Sequence, residues 1–433
     1  MNEQTKRRRA TWAALALLGG ATGLIGAAAA VSAADWPQWR GPERSGLSKE
    51  TGLLKTWPAE GPKLAWTARK LGEGHATPSV AKGRIFGMGL RGGDEVVWAL
   101  DEKSGKEVWS TRIAAGASLA APQGGHGSRA TPAVSGSQIY TLGVSGDLVC
   151  LNVSDGKLVW QKNLVKDFGG SVPVWGYSES PLVDGDKVIV APGGDKSTVV
   201  AFNKKDGSVA WQCAVPGNGA HYSSAIVARV DGKKQYVHFL SGGVIGMDAA
   251  TGSLLWRYNS PANRTANCST PIFRDNHVFA ASGYNTGGGL AKVTAGPEGM
   301  AAKEVYFTKE MQNHHGGMVL VGDYLYGFDN SNLTCLEWKT GKTMWSDRSV
   351  GKGSLAYADG FLYCRSERGP VALVEANPKA YVEKARFDQP EPSGARSWPY
   401  PVIANGKLYL RDQDVLLCYD IKQSAKVVTG VSK

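Results

Sequence analysis

The chain has 433 residues, too many for one ordinary compact core unless the architecture repeats. It contains 56 glycines, 20 prolines and 14 tryptophans, with strand-forming residues dominating between the glycines, so β-structure is expected. Of the formal charge of +11, one negative and four positive charges (Glu3, Lys6, Arg7, Arg8 and Arg9) belong to the N-terminal segment, leaving +8; the other basic residues are scattered and exclude a nucleic-acid-binding stripe.

Residues 1–33 read as a signal peptide. Lys6-Arg7-Arg8-Arg9 forms a basic region, Trp12 to Ala30 an Ala-rich apolar region, and Val31-Ser32-Ala33 a small-residue cleavage site. Cleavage leaves no stable membrane span, and the mature protein is expected in the periplasm or secreted. Arg8-Arg9 leaves the choice between general secretion and twin-arginine export open. Residues 34–52 follow as an N-terminal extension.

From there a phrase recurs. Gly-x-x-x-Trp runs from Gly105 to Trp109, Gly156 to Trp160, Gly207 to Trp211, Gly252 to Trp256 and Gly341 to Trp345, each opened by Ser, Asp or Thr. Such pairs supply the positive φ of a tight turn. Ahead of each copy lies a short apolar strand, a turn such as Lys82-Gly83, Ser135-Gly136 or Asp184-Gly185, and a strand with an apolar pair such as Ile85-Phe86 or Ile139-Tyr140. This second phrase occurs eight times, the last turn being Asn405-Gly406. Thr77-Pro78, Thr131-Pro132, Ser180-Pro181 and Thr270-Pro271 stand before the first strands, where proline costs no ladder bond. Each repeat reads as four short antiparallel strands in about 37 to 51 residues, the period of a propeller blade.

Two copies are degraded. The fifth has Tyr306 in the Trp place and a Gly-rich insertion from Gly287 to Gly299, a candidate lid for the channel mouth. The seventh, around Glu375 to Lys384, lacks both Gly and Trp. The eighth stops at Asp420 after three strands, and Lys63-Leu64-Ala65-Trp66 repeats the Trp phrase with no blade before it, so the N-terminal strand is expected to close the ring. The fold class is therefore all-β: an eight-bladed propeller over 53–422, followed by a tail, 423–433. Ten residues before Trp160 and Trp345 lie Cys150 and Cys335, where other copies carry Ala99, Ala201 and Gly246; Cys418 shares the slot. The six cysteines are expected to be free thiols, with this slot taking a small buried side chain.

These repeats resemble those of the pyrroloquinoline quinone (PQQ) propeller superfamily. The resemblance covers about Leu53 to Lys422, and the opening Asp35-Trp36-Pro37-Gln38-Trp39-Arg40-Gly41-Pro42 resembles the start of exported bacterial PQQ-like repeat proteins. It implies that Trp66, Trp109, Trp160, Trp211, Trp256 and Trp345 dock neighbouring blades. Such repeats specify the fold strongly and the cofactor weakly, because non-enzymatic members share them.

Residues just before each innermost strand of a propeller gather round one mouth of its channel. Here they are His75, Arg129, Glu179, His221 with Tyr222, Asn267, His314 with His315, Lys352 and Trp398; His126 falls in the same zone. Polar groups converging from separate blades are what a ligand site requires. The reading is an exported binding or scaffolding protein without a cofactor, whose partner is an envelope protein, a peptide added to a blade edge, or a small polar ligand such as a sugar. The alternative implied by the resemblance is a periplasmic dehydrogenase oxidising an alcohol or sugar with PQQ and calcium, in which Glu179 and Asn267 hold the metal and Arg129 or Lys352 polarises the quinone. Against it stand the absence of an adjacent Cys pair, of an Asp in the ring of mouth residues, and of Cys-x-x-Cys-His.

Overall fold

A computed structural model describes residues 35–116 and 127–423. The signal segment, His126 and residues 424–433 lie outside the described residues. No helix among the described residues is long and apolar enough to cross a membrane.

Eight antiparallel sheets form the blades of a propeller. Blade one comprises Ser79–Ala81, Arg84–Arg91, Asp94–Asp101 and Glu107–Ala114. Blades two to seven repeat the pattern, and blade eight is built from Val402–Ala404, Lys407–Asp412 and Val415–Asp420. Its fourth strand is Lys63–Ala68, which pairs antiparallel with Val415–Asp420 and closes the ring. No blade is left with an open seam, the expected solution to the edge problem.

The Trp phrase works across blade boundaries. The indole N–H groups of Trp66, Trp109, Trp160, Trp211 and Trp345 donate to the carbonyls of Glu102, Val153, Lys204, Ala249 and Asn377, each on the next blade. The glycine of the next phrase lies against the ring: a Cβ at Gly156 would stand 2.4 Å from Trp109, and one at Gly105 2.5 Å from Trp66. Within its own blade each Trp faces the small slot directly, Trp160 opposite Cys150, Trp345 opposite Cys335 and Trp66 opposite Cys418. All six cysteines are free, and all but Cys268 are buried.

The degraded copies compensate. In blade five Tyr306 faces Leu290, and in blade seven Ala385 takes the Trp place and faces Leu373. As the ring residue shrinks, the slot residue grows, which conserves core volume. Blade seven gains a Trp from elsewhere. Trp57 packs on Tyr363 at 5.8 Å and 48°, nearly the 6.0 Å and 49° of Trp345 on Tyr326 in blade six.

The insertion of blade five is no lid. Gly287–Gly296 and Gly299–Thr308 pair as a long hairpin. Val293 already reaches the turn at Asn276, at the end of the inner strand away from the mouth, so the hairpin tip extends beyond the opposite face. Val293, Met300 and Ala302 pack there against the blade-four cluster of Trp256 and Tyr258. Gly289 permits this approach, since a Cβ would stand 2.0 Å from the Tyr258 hydroxyl.

The N-terminal extension plugs the channel. Trp36 exchanges two backbone hydrogen bonds with Val80 of blade one, and Leu47–Ser48 adds a parallel fifth strand to Gly353–Ala358, the innermost strand of blade seven. The Glu50 carboxylate accepts from the Gly406 amide in blade eight. Between these ends Arg44 donates to the Ser180 and Pro181 carbonyls at 2.7 and 2.9 Å, and Arg40 donates to the Met318 carbonyl. Both guanidinium groups are buried, and burial lowers their pKa, that of Arg44 to about 9.

Candidate functional site: a blind cavity at the channel mouth

Because the plug fills the channel, the mouth opens into a blind cavity of about 250 Å³. Trp39, near the turn of the plug, lines it from the channel side; its indole donates to Thr270 Oγ1 at 2.9 Å, and its ring meets Tyr400 edge-on at 4.6 Å. The segments entering the inner strands supply much of the wall, and their hydroxyls tie the blades together. The Thr131 amide donates to Ser180 Oγ, the Ser180 amide to Ser224 Oγ, and the Tyr400 amide to Thr77 Oγ1. The Thr-Pro and Ser-Pro phrases thus brace the rim on which the site is built.

Six of the predicted residues line the cavity: His75, Arg129, Tyr222, His314, His315 and Trp398. Trp398 is the centre of the array, with the rings of His75 and His315 at 4.4 and 5.0 Å and the Arg129 guanidinium at 5.5 Å from its centroid. Lys352 stands behind His314 and donates to its Nδ1 at 2.8 Å. His221 stacks on Tyr222 at 5.4 Å, and its Nδ1 accepts from the Asn267 amide.

Glu179 and Asn267 are placed elsewhere. Glu179 is buried, accepts from the Ala191 amide and faces His238 Nε2 at 3.4 Å. Asn267 is fully buried; its side-chain amide donates to the carbonyls of Leu240 and Ser241 and accepts from the Asn263 amide. Glu179 Oε1 and Asn267 Oδ1 are engaged in bracing the scaffold, and the other Glu179 oxygen, which lacks a hydrogen-bond partner, faces His238 and does not line the cavity, so the pair does not fit the calcium of a quinoprotein. No group of three or more His, Cys, Asp or Glu suited to a metal occurs among the described residues.

The electrostatics follow from burial. Desolvation lowers His221 to about 4 and His314 to about 3, so both are neutral at physiological pH. Burial also lowers His315, against the opposing hydrogen bond of its Nε2 to Glu367 Oε1 at 2.5 Å. Burial alone would raise the Glu367 carboxyl, but the hydrogen bond and charge of His315 and the charges of Lys352 and Arg396 hold it down to about 2. Glu367 also accepts from the Trp398 indole at 3.1 Å, which fixes the ring. Desolvation lowers Arg129 to about 10, leaving it charged, and raises the Cys268 thiol to about 12, leaving it protonated.

Trp39, Trp175, Cys268, Tyr284, Arg396 and Tyr400 also line the cavity, and the rule of residues preceding inner strands did not select them. Arg396 and Tyr400 flank Trp398 within two residues, a signal that a wider window would have caught. Trp175 and Tyr284 come from loops outside that window, and Trp39 from the plug.

An eight-bladed propeller of the PQQ-repeat type, its channel plugged and its mouth left as an aromatic cavity, defines the class of protein. The profile of the family described as outer membrane protein assembly factor BamB matches residues 44–171 and 93–347, more than half of the chain. The chain belongs to that family. The outer membrane protein assembly factor BamB of Yersinia pestis is 24% identical over 336 residues, 71% of this chain and 76% of the relative. That of Escherichia coli (strain K12) is 32% identical over 114 residues, 25% of this chain and 26% of the relative. Among solved structures, BamB from Moraxella catarrhalis superposes with a TM-score of 0.59 at 16% identity, covering 84% of this chain and 98% of that one. Quinohemoprotein alcohol dehydrogenase from Comamonas testosteroni gives 0.63 at 12% identity, covering 91% and 81%. Such identities speak for the fold alone.

Proposed function

We propose that this protein is an exported scaffold of the cell envelope that binds a partner protein of the outer-membrane assembly apparatus, with the cavity mouth as its recognition face. The observation that carries the reading is the family match across residues 44–347. The rim supports it, because Val172 and Val174 are exposed apolar side chains close in sequence to the lining residue Trp175, and the lining residue Tyr284 is itself exposed. The engagement of Glu179 and Asn267 within the scaffold favours binding over quinone chemistry.

The test is crosslinking in intact cells from a photoreactive residue placed at Val174. Recovery of an outer-membrane assembly component, lost when the residue is moved to Val227 on the inner strand of blade four, is the expected result. Equal crosslinking from both positions, or none from either, would remove the mouth as the docking face. Titration with PQQ and calcium is expected to give no heat.

A further inference from the structure

Neutral hydrogen-bond donors set among aromatic rings stand open at the mouth. Trp175, Tyr222, Tyr284 and His314 line the cavity. Trp175 meets Tyr222 at 5.5 Å, Tyr222 stacks on His221, and Tyr284 meets His314 edge-on at 4.8 Å. Both imidazoles have a fixed tautomer. His221 Nδ1 accepts from the Asn267 amide at 3.1 Å, and His314 Nδ1 accepts from the Lys352 ammonium, which can only donate. Each neutral ring therefore carries its proton on Nε2. Among the described residues nothing pairs with His221 Nε2, His314 Nε2 or Trp175 Nε1, and none of these three atoms is buried.

The acceptors of the wall are engaged or out of reach. Thr77 Oγ1 takes the Tyr400 amide, Glu367 holds His315 and the Trp398 indole, and His315 Nδ1 is buried. The hydroxyls of Ser178, Tyr222 and Tyr284 donate as readily as they accept, so donors are in excess. A sugar hydroxyl brings a proton with its lone pairs, and an ordinary peptide brings an N–H with each carbonyl. Both add donors to a site already rich in them. A run of prolines brings carbonyls without N–H groups, and its rings pack on aromatic faces in a conformation already extended before binding.

We propose that the mouth binds a proline-rich, extended segment of the partner protein, its rings against Trp175, Tyr222 and Tyr284 and its carbonyls accepting from Trp175 Nε1 and His314 Nε2. Val172 and Val174, exposed on the segment that carries Trp175, add apolar surface for the same segment. The inference deepens the reading of the mouth as a docking face and rests on it.

Calorimetry of the purified full chain with three capped peptides of equal length tests it: octaproline, alternating Gly-Ser, and octaglutamate, which is rich in acceptors but charged. Octaproline is expected to bind in the micromolar to low-millimolar range, with the Gly-Ser peptide weaker by about tenfold or more. Trp175→Phe keeps an aromatic ring and removes the N–H at a partly exposed loop position, where folding is not at stake. It is expected to weaken octaproline about three- to tenfold, the range of one neutral hydrogen bond. No heat with octaproline at about 5 mM, or equal binding of the Gly-Ser peptide, overturns the proposal. Tighter binding of octaglutamate makes the mouth an anion site instead, and unchanged binding in Trp175→Phe overturns the role of the indole as donor. Crosslinking from Val174 separates the two readings: a captured partner without octaproline binding sinks only the proline-rich segment, and octaproline binding without a captured partner sinks only the assembly scaffold.

Discussion

At the scale of single residues, the glycine of each Trp phrase has two duties that can be separated. Gly156 has φ +70°, as its turn requires, and its missing Cβ makes room for Trp109. Gly185 also has positive φ, +58°, but nothing lies within 4 Å of its Cβ position. Alanine at Gly185 therefore meets only backbone strain, on the order of 1 kcal/mol. Alanine at Gly156 adds a collision with the ring, for a total loss of about 2–4 kcal/mol. Urea denaturation of the two variants measures the difference, and equal losses would show that the ring yields freely. Sequence spacing revealed the glycine and the tryptophan together but not why they recur together. The reason lies between blades: the glycine of one phrase accommodates the Trp of the phrase before it, an adjacency visible only once the ring closes.

At the scale of elements, the segment before the first blade has more structural work than the repeats suggest. Trp57 belongs to no repeat, yet it is 6% exposed and packs against Tyr363 and Phe387 where blade seven lacks its own Trp. Trp57→Ala is expected to cost about 3–5 kcal/mol, as much as truncating a Trp within a repeat, with Trp109→Ala the comparison in the same denaturation experiment. A loss below about 1 kcal/mol would mean that blade seven stands without it. The strand pattern, the blade count and the closing strand were legible because each follows from local turns and period-two alternation. The plug was not. Trp36, Arg40 and Arg44 carry no repeat signal, and their partners (Val80, Met318 and Ser180) lie in separate blades. The site was half legible for a related reason. The approach to each inner strand predicts which chain segments reach the mouth, but not whether a side chain turns outward like Trp398 or into the scaffold like Asn267.

At the scale of the whole molecule, buried titratable groups pull stability in opposite directions with pH. Burial raises Glu179 to about 8 and Glu95 to about 7, and lowers His238 and His221 to about 4 and His314 to about 3. The carboxyls are protonated in the folded state after the unfolded chain has released its protons. Their contribution is full below pH 4.5 and is lost as pH rises through about 7 and 8. The imidazoles have the opposite sign: their contribution is full above pH 6.5 and is lost as pH falls through about 4 and 3. Above pH 6.5 the imidazole contribution is complete while Glu95 and Glu179 still ionise, so these groups make stability decline as pH rises toward 8. Glu179 sits where plug and blades meet, with the Arg44 charge nearby. Between pH 6.5 and 8 its ionisation alone should remove about 1–2 kcal/mol. Glu179→Gln keeps the acceptor for the Ala191 amide and removes the ionisation, so its denaturation midpoint should fall less steeply over that interval, while the acid limb stays unchanged. If the alkaline limbs of wild type and variant coincide, Glu179 is ionised throughout, and the plug is then anchored by a carboxylate–guanidinium pair with Arg44.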